Sequence, residues 1–218
     1  LPGISALIRD EDGVWVGAAG KADFAKDVDM SPCTVSKAAS LTKTFIATLA
    51  LKLVEEGKFG LDDPLTKWLT EEQIGKLKNA NISTVRQLLN HTTGIADVIE
   101  DDGFYLAVLN NPAKKWKPEE LLEFVYGVEP EFAPGAGVSY SNTNFLLLAM
   151  VINSATGQDH AQLLREKVLV PLGLDQSFYY WHDDLPGNVA QGYFDLYNNQ
   201  TIVNVTNFNT GSGNGYGL

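Results

Sequence analysis

Seventeen residues, Ser40 to Glu56, read SLTKTFIATLALKLVEE with no proline or glycine inside them, and Gly57 follows. Leucine, alanine and lysine carry high helix propensity, and a glycine just past the last turn is a helix stop. The spacing predicts one uninterrupted helix. It is too apolar for a surface helix, so it is expected to run through the middle of the molecule.

The rest of the chain is read around that element. Residues 3–9 (GISALIR) and 14–20 (VWVGAAG) alternate loosely on either side of Asp12-Gly13, a favoured hairpin centre, and predict two antiparallel strands. Short helices are expected at 84–90, 102–110 and 118–126, the last opening on Pro118 and two glutamates. A loop at 132–142 is marked by Pro134, Gly135 and Gly137, and a helix follows from about 143 to 155, stopped by Gly157. Another helix starts near Asp159 and ends before Pro171. Beyond 176 the segments SFYYW, VAQGYF and TIVNVTNF read as strands, and the closing GSGNGYGL shows no terminating structure. Two strands, a helical block and further strands make an α+β layout, with 1–35 as sheet hairpin and lead-in, 36–175 mainly helical, and 176–218 short strands and loop.

Composition narrows the function. The chain has 218 residues, 44% hydrophobic and 20% charged, enough to bury a core. Sixteen basic against 27 acidic residues leave a net charge of −11, which argues against nucleic-acid binding. The longest apolar run, Phe145 to Ile152, is far too short to span a bilayer and reads as a buried helix. A single cysteine, Cys33, excludes a disulfide framework. His91, His160 and His182 show no short metal-ligand spacing, so no metal site is expected.

Ser40-Leu41-Thr42-Lys43 is a Ser-x-x-Lys at the helix start. Residues i and i+3 share a helix face, so the lysine amine can reach the serine hydroxyl. A helix N-terminus favours a developing alkoxide, and a desolvated lysine becomes a base near neutrality. Ten serines and 13 lysines give about 0.6 such pairs by chance, and an ordinary helix start with a solvated lysine is the plain alternative. Two details raise the weight of catalysis against that alternative: this is the chain's one Ser-x-x-Lys, and it opens the most apolar helix. Tyr140-Ser141-Asn142 lies in the Gly/Pro-rich loop before a helix. Its tyrosine can pass a proton to a leaving group, and its asparagine can orient the lysine and hold a substrate amide. Tyr197-Asn198-Asn199 has similar composition but sits in a polar turn, where a structural tyrosine is the better reading.

Together, KAASLTKTFIATLALKLVEEGKFGLDDPL, TVRQLLNHTTGI, FAPGAGVSYSNTNFLLLAMVINSATG, LLREKVLVPLGLDQS and AQGY resemble, in order and spacing, the serine β-lactamase and penicillin-binding-protein superfamily, in the branch of class C β-lactamases and D-alanyl-D-alanine carboxypeptidases. The resemblance implies a β-lactamase/transpeptidase-like fold, an antiparallel sheet flanked by helices plus a helical block. It implies a serine hydrolase that forms an acyl-enzyme on an amide or ester (a β-lactam, a D-amino-acid peptide or a small ester), or else a penicillin-binding or sensing module that acylates without turnover. Ser40 would be the nucleophile, with its own N–H as one oxyanion donor. Lys43 would be the base, Tyr140 would share acid/base work and Asn142 would bind substrate, with His91 structural. No cofactor and no metal is implied, and the partner is a small-molecule or peptide substrate. A periplasmic or secreted bacterial location is likewise implied by the family alone.

Two departures stand out. Ser36 takes the place of a customary phenylalanine, and the family's Lys/His-x-Gly triplet is not found; Asn209-Thr210-Gly211 lacks the basic residue. The chain is therefore expected to be the N-terminal portion of such a domain, lacking the C-terminal helix and strands, with a C-terminal fragment of the same protein completing the sheet.

Overall fold

The computed structural model describes residues 2–217, which divide into two compact units. Of the described residues, the first holds 2–37 and 184–208, and the second holds 38–183 and 209–217. Among the described residues no helix is long and apolar enough to cross a membrane.

The first unit is built on the predicted hairpin. Strands β1 (Gly3–Asp10) and β2 (Gly13–Asp23) pair antiparallel from Gly3↔Gly20 to Asp10↔Gly13. The two-residue turn is Glu11-Asp12, one position earlier than the sequence predicts. The Asp10 carboxylate fixes it by accepting from the backbone N–H groups of Asp12 and Gly13, leaving Gly13 to open β2. The short β3 (Val28–Asp29) continues the sheet, with Lys21 bridging Asp27 and Asp29. Ile4, Leu7, Ile8, Val14, Trp15 and Val16 all remain exposed within this chain.

The second unit is helical. Its elements are α1 (Thr42–Glu55), α2 (Glu71–Ile74), α3 (Val85–Leu89), α4 (Asp102–Asn110), α5 (Pro118–Leu122), α6 (Asn142–Thr156) and α7 (His160–Leu164). The caps follow the local chemistry: Asp101 accepts from Phe104 N–H at α4, Asp159 accepts from Ala161 N–H at α7, and Gly157 ends α6 at φ 68°.

The expectation that the Ser40–Glu56 segment is the central helix is corrected. α1 buries a stripe of Ile46, Leu49, Ala50 and Leu53 while Leu51 faces solvent, whereas every residue of α6 from Asn142 to Ile152 is buried. α1 flanks the core, and α6 is its axis. At roughly 1.5–3 kcal/mol for each large apolar side chain removed from water, α6 contributes more to the core than any other element. Ser40 itself lies in a single 3-10 turn, Ala39–Leu41, that leads into α1.

Two strand predictions are also corrected. SFYYW is not extended: Arg165 pairs with Asp183, Asp183 accepts from Tyr179 N–H at 2.6 Å, and these bonds curl the segment so that Tyr179 is buried. Of VAQGYF and TIVNVTNF, only β4 (Tyr193–Phe194) and β5 (Val203–Asn204) form strands, paired with each other in the first unit. The glycine-rich tail, as far as Gly217, is ordered into turns. Gly215 (φ 107°) passes so close to α6 that a Cβ there would lie 2.5 Å from the Phe145 carbonyl oxygen and 2.9 Å from Ala149 Cβ. Only glycine fits that approach.

Candidate active site

The site lies wholly within the second unit and is built from four pieces of chain. The 3-10 turn presents Ser40, which is exposed, and Ala39 before it is held at φ 48°. A left-handed alanine is strained by about 1–2 kcal/mol. α1 carries Lys43 one turn on, buried at 6% exposure. Its Nζ lies 3.2 Å from Ser40 Oγ and donates to Asn142 Oδ1 at 2.7 Å and to the Tyr216 carbonyl oxygen at 3.1 Å. The amine also lies over the Tyr140 ring, 5.0 Å from its centroid. Burial pushes the Lys43 amine below the usual lysine range, opposed by the neighbouring Tyr140 hydroxyl and by Asp97.

The sequence signals for Ser40, Lys43, Tyr140 and Asn142 thus converge on one place. Tyr197 and Asn199 belong to the other unit, where Tyr197 is exposed and Asn199 N–H donates to Asp195. Asn209-Thr210-Gly211 is a brace: Asn209 is buried, its N–H donates to the Pro112 carbonyl, and its carbonyl accepts from Trp116 Nε1.

The turn after α3 holds the tyrosine loop. His91 adopts φ 57°, its carbonyl accepts from Ser139 N–H, and its Nδ1 accepts from Ser141 N–H at 3.2 Å. The neutral ring therefore carries its proton on Nε2. It packs against the Tyr140 ring at 4.5 Å. Burial, followed by repulsion from Lys43, lowers the His91 pKa, so the ring stays neutral and acts as a brace. The turn closes at Gly94 (φ 70°), where a Cβ would fall 2.3 Å from the Phe132 carbonyl oxygen.

Two participants are absent from the sequence reading. The Tyr216 carbonyl comes from the tail and carries no side-chain signal. Asp97, buried beside Asn142, had one: it is an acid set between Ile95-Ala96 and Val98-Ile99. A cavity of about 280 Å³ opens beside Tyr140, lined by Asp97, Glu100, Asp101, Glu129 and Glu131 over an apolar floor that includes Phe124 and Val128. Among the described residues no cluster of three or more His, Cys, Asp or Glu could hold a metal ion.

A serine hydroxyl 3.2 Å from a desolvated lysine amine is an arrangement in which the amine can serve as base to the hydroxyl. The chain belongs to the β-lactamase family, whose sequence profile matches residues 1–217. It is 30% identical over 211 residues to Protein flp of Staphylococcus aureus strain MW2, covering 96% of this chain and 41% of that protein. Among solved structures it superposes on a D-stereospecific amidohydrolase from Streptomyces sp. with TM-score 0.86 and 33% identity, covering 100% of this chain and 64% of the other. It also superposes on the D-amino acid amidase of Ochrobactrum anthropi SV3, with TM-score 0.82, 28% identity and 99% and 61% coverage. The chain thus spans less than two thirds of each of these relatives.

Proposed function

We propose that this chain carries the nucleophile half of a serine hydrolase acting on small amides or esters, with amides of D-amino acids first among them. One observation carries the reading: Lys43 Nζ sits 3.2 Å from Ser40 Oγ in a buried setting that lowers its proton affinity. In the neutral form that contact reverses, and the amine accepts the hydroxyl proton as Oγ bonds to the substrate carbonyl carbon. The Ser40 N–H, in the turn leading into α1, faces the resulting oxyanion. Tyr140, whose ring lies beside the Lys43 amine, passes the proton to the leaving nitrogen or oxygen as the C–N or C–O bond breaks. Water then attacks the ester on Ser40, giving up its proton along the same path and restoring the hydroxyl. Asn142 keeps Lys43 in line. The amide preference takes its support from the two solved relatives, named for D-stereospecific amide hydrolysis.

The test is covalent labelling. A fluorophosphonate adduct is expected on the peptide containing Ser40 and is expected to vanish in Ser40→Ala; labelling that persists in the variant overturns the assignment. Labelling of the native protein without turnover of D-phenylalanine amide, an ester or a cephalosporin identifies an acylating sensor instead.

The apolar residues exposed on the β1–β2 hairpin support a second part of the reading. Further polypeptide of the same protein packs on that hairpin.

A further inference from the structure

We propose that Asp97 is a positioning residue for Lys43, acting through the side-chain amide of Asn142; the inference rests on the roles of Ser40 and Lys43 proposed above. Asp97 Oδ2 accepts from Asn142 Nδ2 at 2.8 Å. An ionised carboxylate has no proton to give, so the amide must turn its NH₂ toward Asp97. That forces Oδ1 to the opposite side, where it accepts from Lys43 Nζ at 2.7 Å. Asn142 is 3% exposed and Asp97 9%, so little water competes for either group. The carboxylate is itself pinned, because its other oxygen caps the turn Val98–Glu100 by accepting from Ile99 N–H. One rigid line therefore runs from the turn after Gly94, across the first residue of α6, to the amine on α1.

Lys43 is surrounded by groups from every neighbouring element: the Tyr140 phenol, the Tyr216 carbonyl and ring, the Phe145 ring, the His91 imidazole held neutral, and Asp97. Among these, Asp97 is the acid. Its charge balances the ammonium formed when Lys43 takes the Ser40 proton, and the amide carries that influence to the nitrogen without letting a carboxylate touch it. Direct contact would hold the proton on the lysine and remove the base.

Asp97→Asn separates this role from a structural one. The substituted Oδ1 still caps Ile99 N–H, because asparagine is as good a cap as aspartate. Its NH₂, however, now faces the NH₂ of Asn142. Two donors cannot pair, so Asn142 turns over and presents Nδ2 to Lys43. The melting temperature is expected to stay near that of the native full-length protein. The rate of fluorophosphonate labelling is expected to fall by about 10- to 100-fold, the scale of a misplaced catalytic group. The acid limb of the labelling–pH profile should move about one unit lower, because the ammonium loses both an acceptor and a compensating charge. In an Asn142→Ala background, adding Asp97→Asn should change the rate no further. An equal loss in both backgrounds, or a native rate and pH limb in Asp97→Asn, overturns the proposal. If Asp97→Asn does not fold, Asp97→Ser keeps the cap and removes the charge, and its acid limb is expected to move lower in the same way. Persistence of the label in Ser40→Ala is read separately, since it strikes the nucleophile assignment and not the Asp97 relay.

Discussion

At the scale of single residues, burial decides which titratable groups are chemically active and which are fixed. His160 is 4% exposed; its Nδ1 faces Asn153 Oδ1 and its Nε2 faces the Tyr179 hydroxyl. Burial lowers its pKa to about 4, with Asp159 opposing and His182 adding to the shift. In the unfolded chain the same group titrates near 6.5. Between those values the unfolded chain binds a proton that the folded one refuses. Stability is therefore full above about pH 6.5 and declines as pH falls toward 4, by up to about 3 kcal/mol from this residue. Urea denaturation at pH 7 and pH 4.5 should show the loss, and His160→Gln should reduce the difference; an unchanged difference removes His160 as its source. That Ser40, Lys43, Tyr140 and Asn142 lie together was legible because each belonged to a short local pattern: Ser40 and Lys43 to a helix-face spacing, Tyr140 and Asn142 to a Gly/Pro-marked loop. Asp97 was missed because its meaning lies in a partner 45 positions away.

At the scale of elements, the glycine-rich tail shows how composition misleads. Four glycines in GSGNGYGL suggest a segment without structure, yet Gly215 is where the backbone must pass between the Phe145 carbonyl and Ala149 on α6. Gly215→Ala should cost about 2 kcal/mol or more, combining the left-handed φ with the close contacts. It should also slow Ser40 labelling, since the displaced strap no longer delivers the Tyr216 carbonyl to Lys43. Thermal melting and labelling rate measured together check this, and a variant native in both would show that the tail is not clamped to α6. The starts of six helices were legible to within a few residues because caps are local, and Pro118, Asp159 and Gly157 each mark a boundary that the structure keeps, whereas α2 was not read. Which helix is the axis was not legible. α1 and α6 are both apolar in sequence, and only packing shows that α6 is enclosed on all sides. The late strands failed because β-branched and aromatic residues such as those of SFYYW can be buried in turns held by an ion pair as readily as in a sheet.

At the scale of the whole molecule, the exposed hairpin sets the expectation for residues 1–218 alone. A strand pair with six large apolar residues in water is an association surface. A polypeptide of residues 1–218 should self-associate by light scattering and label slowly; one that stays monomeric and turns over substrate at ordinary enzyme rates would overturn the proposal that more of the protein packs there. The anchoring of Lys43 carries a consequence in time as well as in space. Its three partners lie 3, 99 and 173 positions away along the chain. The first contact forms with the opening turn of α1, the second waits for the loop before α6, and the third waits for residue 216 to leave the ribosome and fold back. Long-range closures of this kind come late in folding. While the chain is being synthesised Lys43 is hydrated and protonated, and Ser40 is an ordinary alcohol. On the roles proposed for Ser40 and Lys43, the fold would work as a timer, withholding nucleophilic power from the nascent chain until nearly all of these residues have been made.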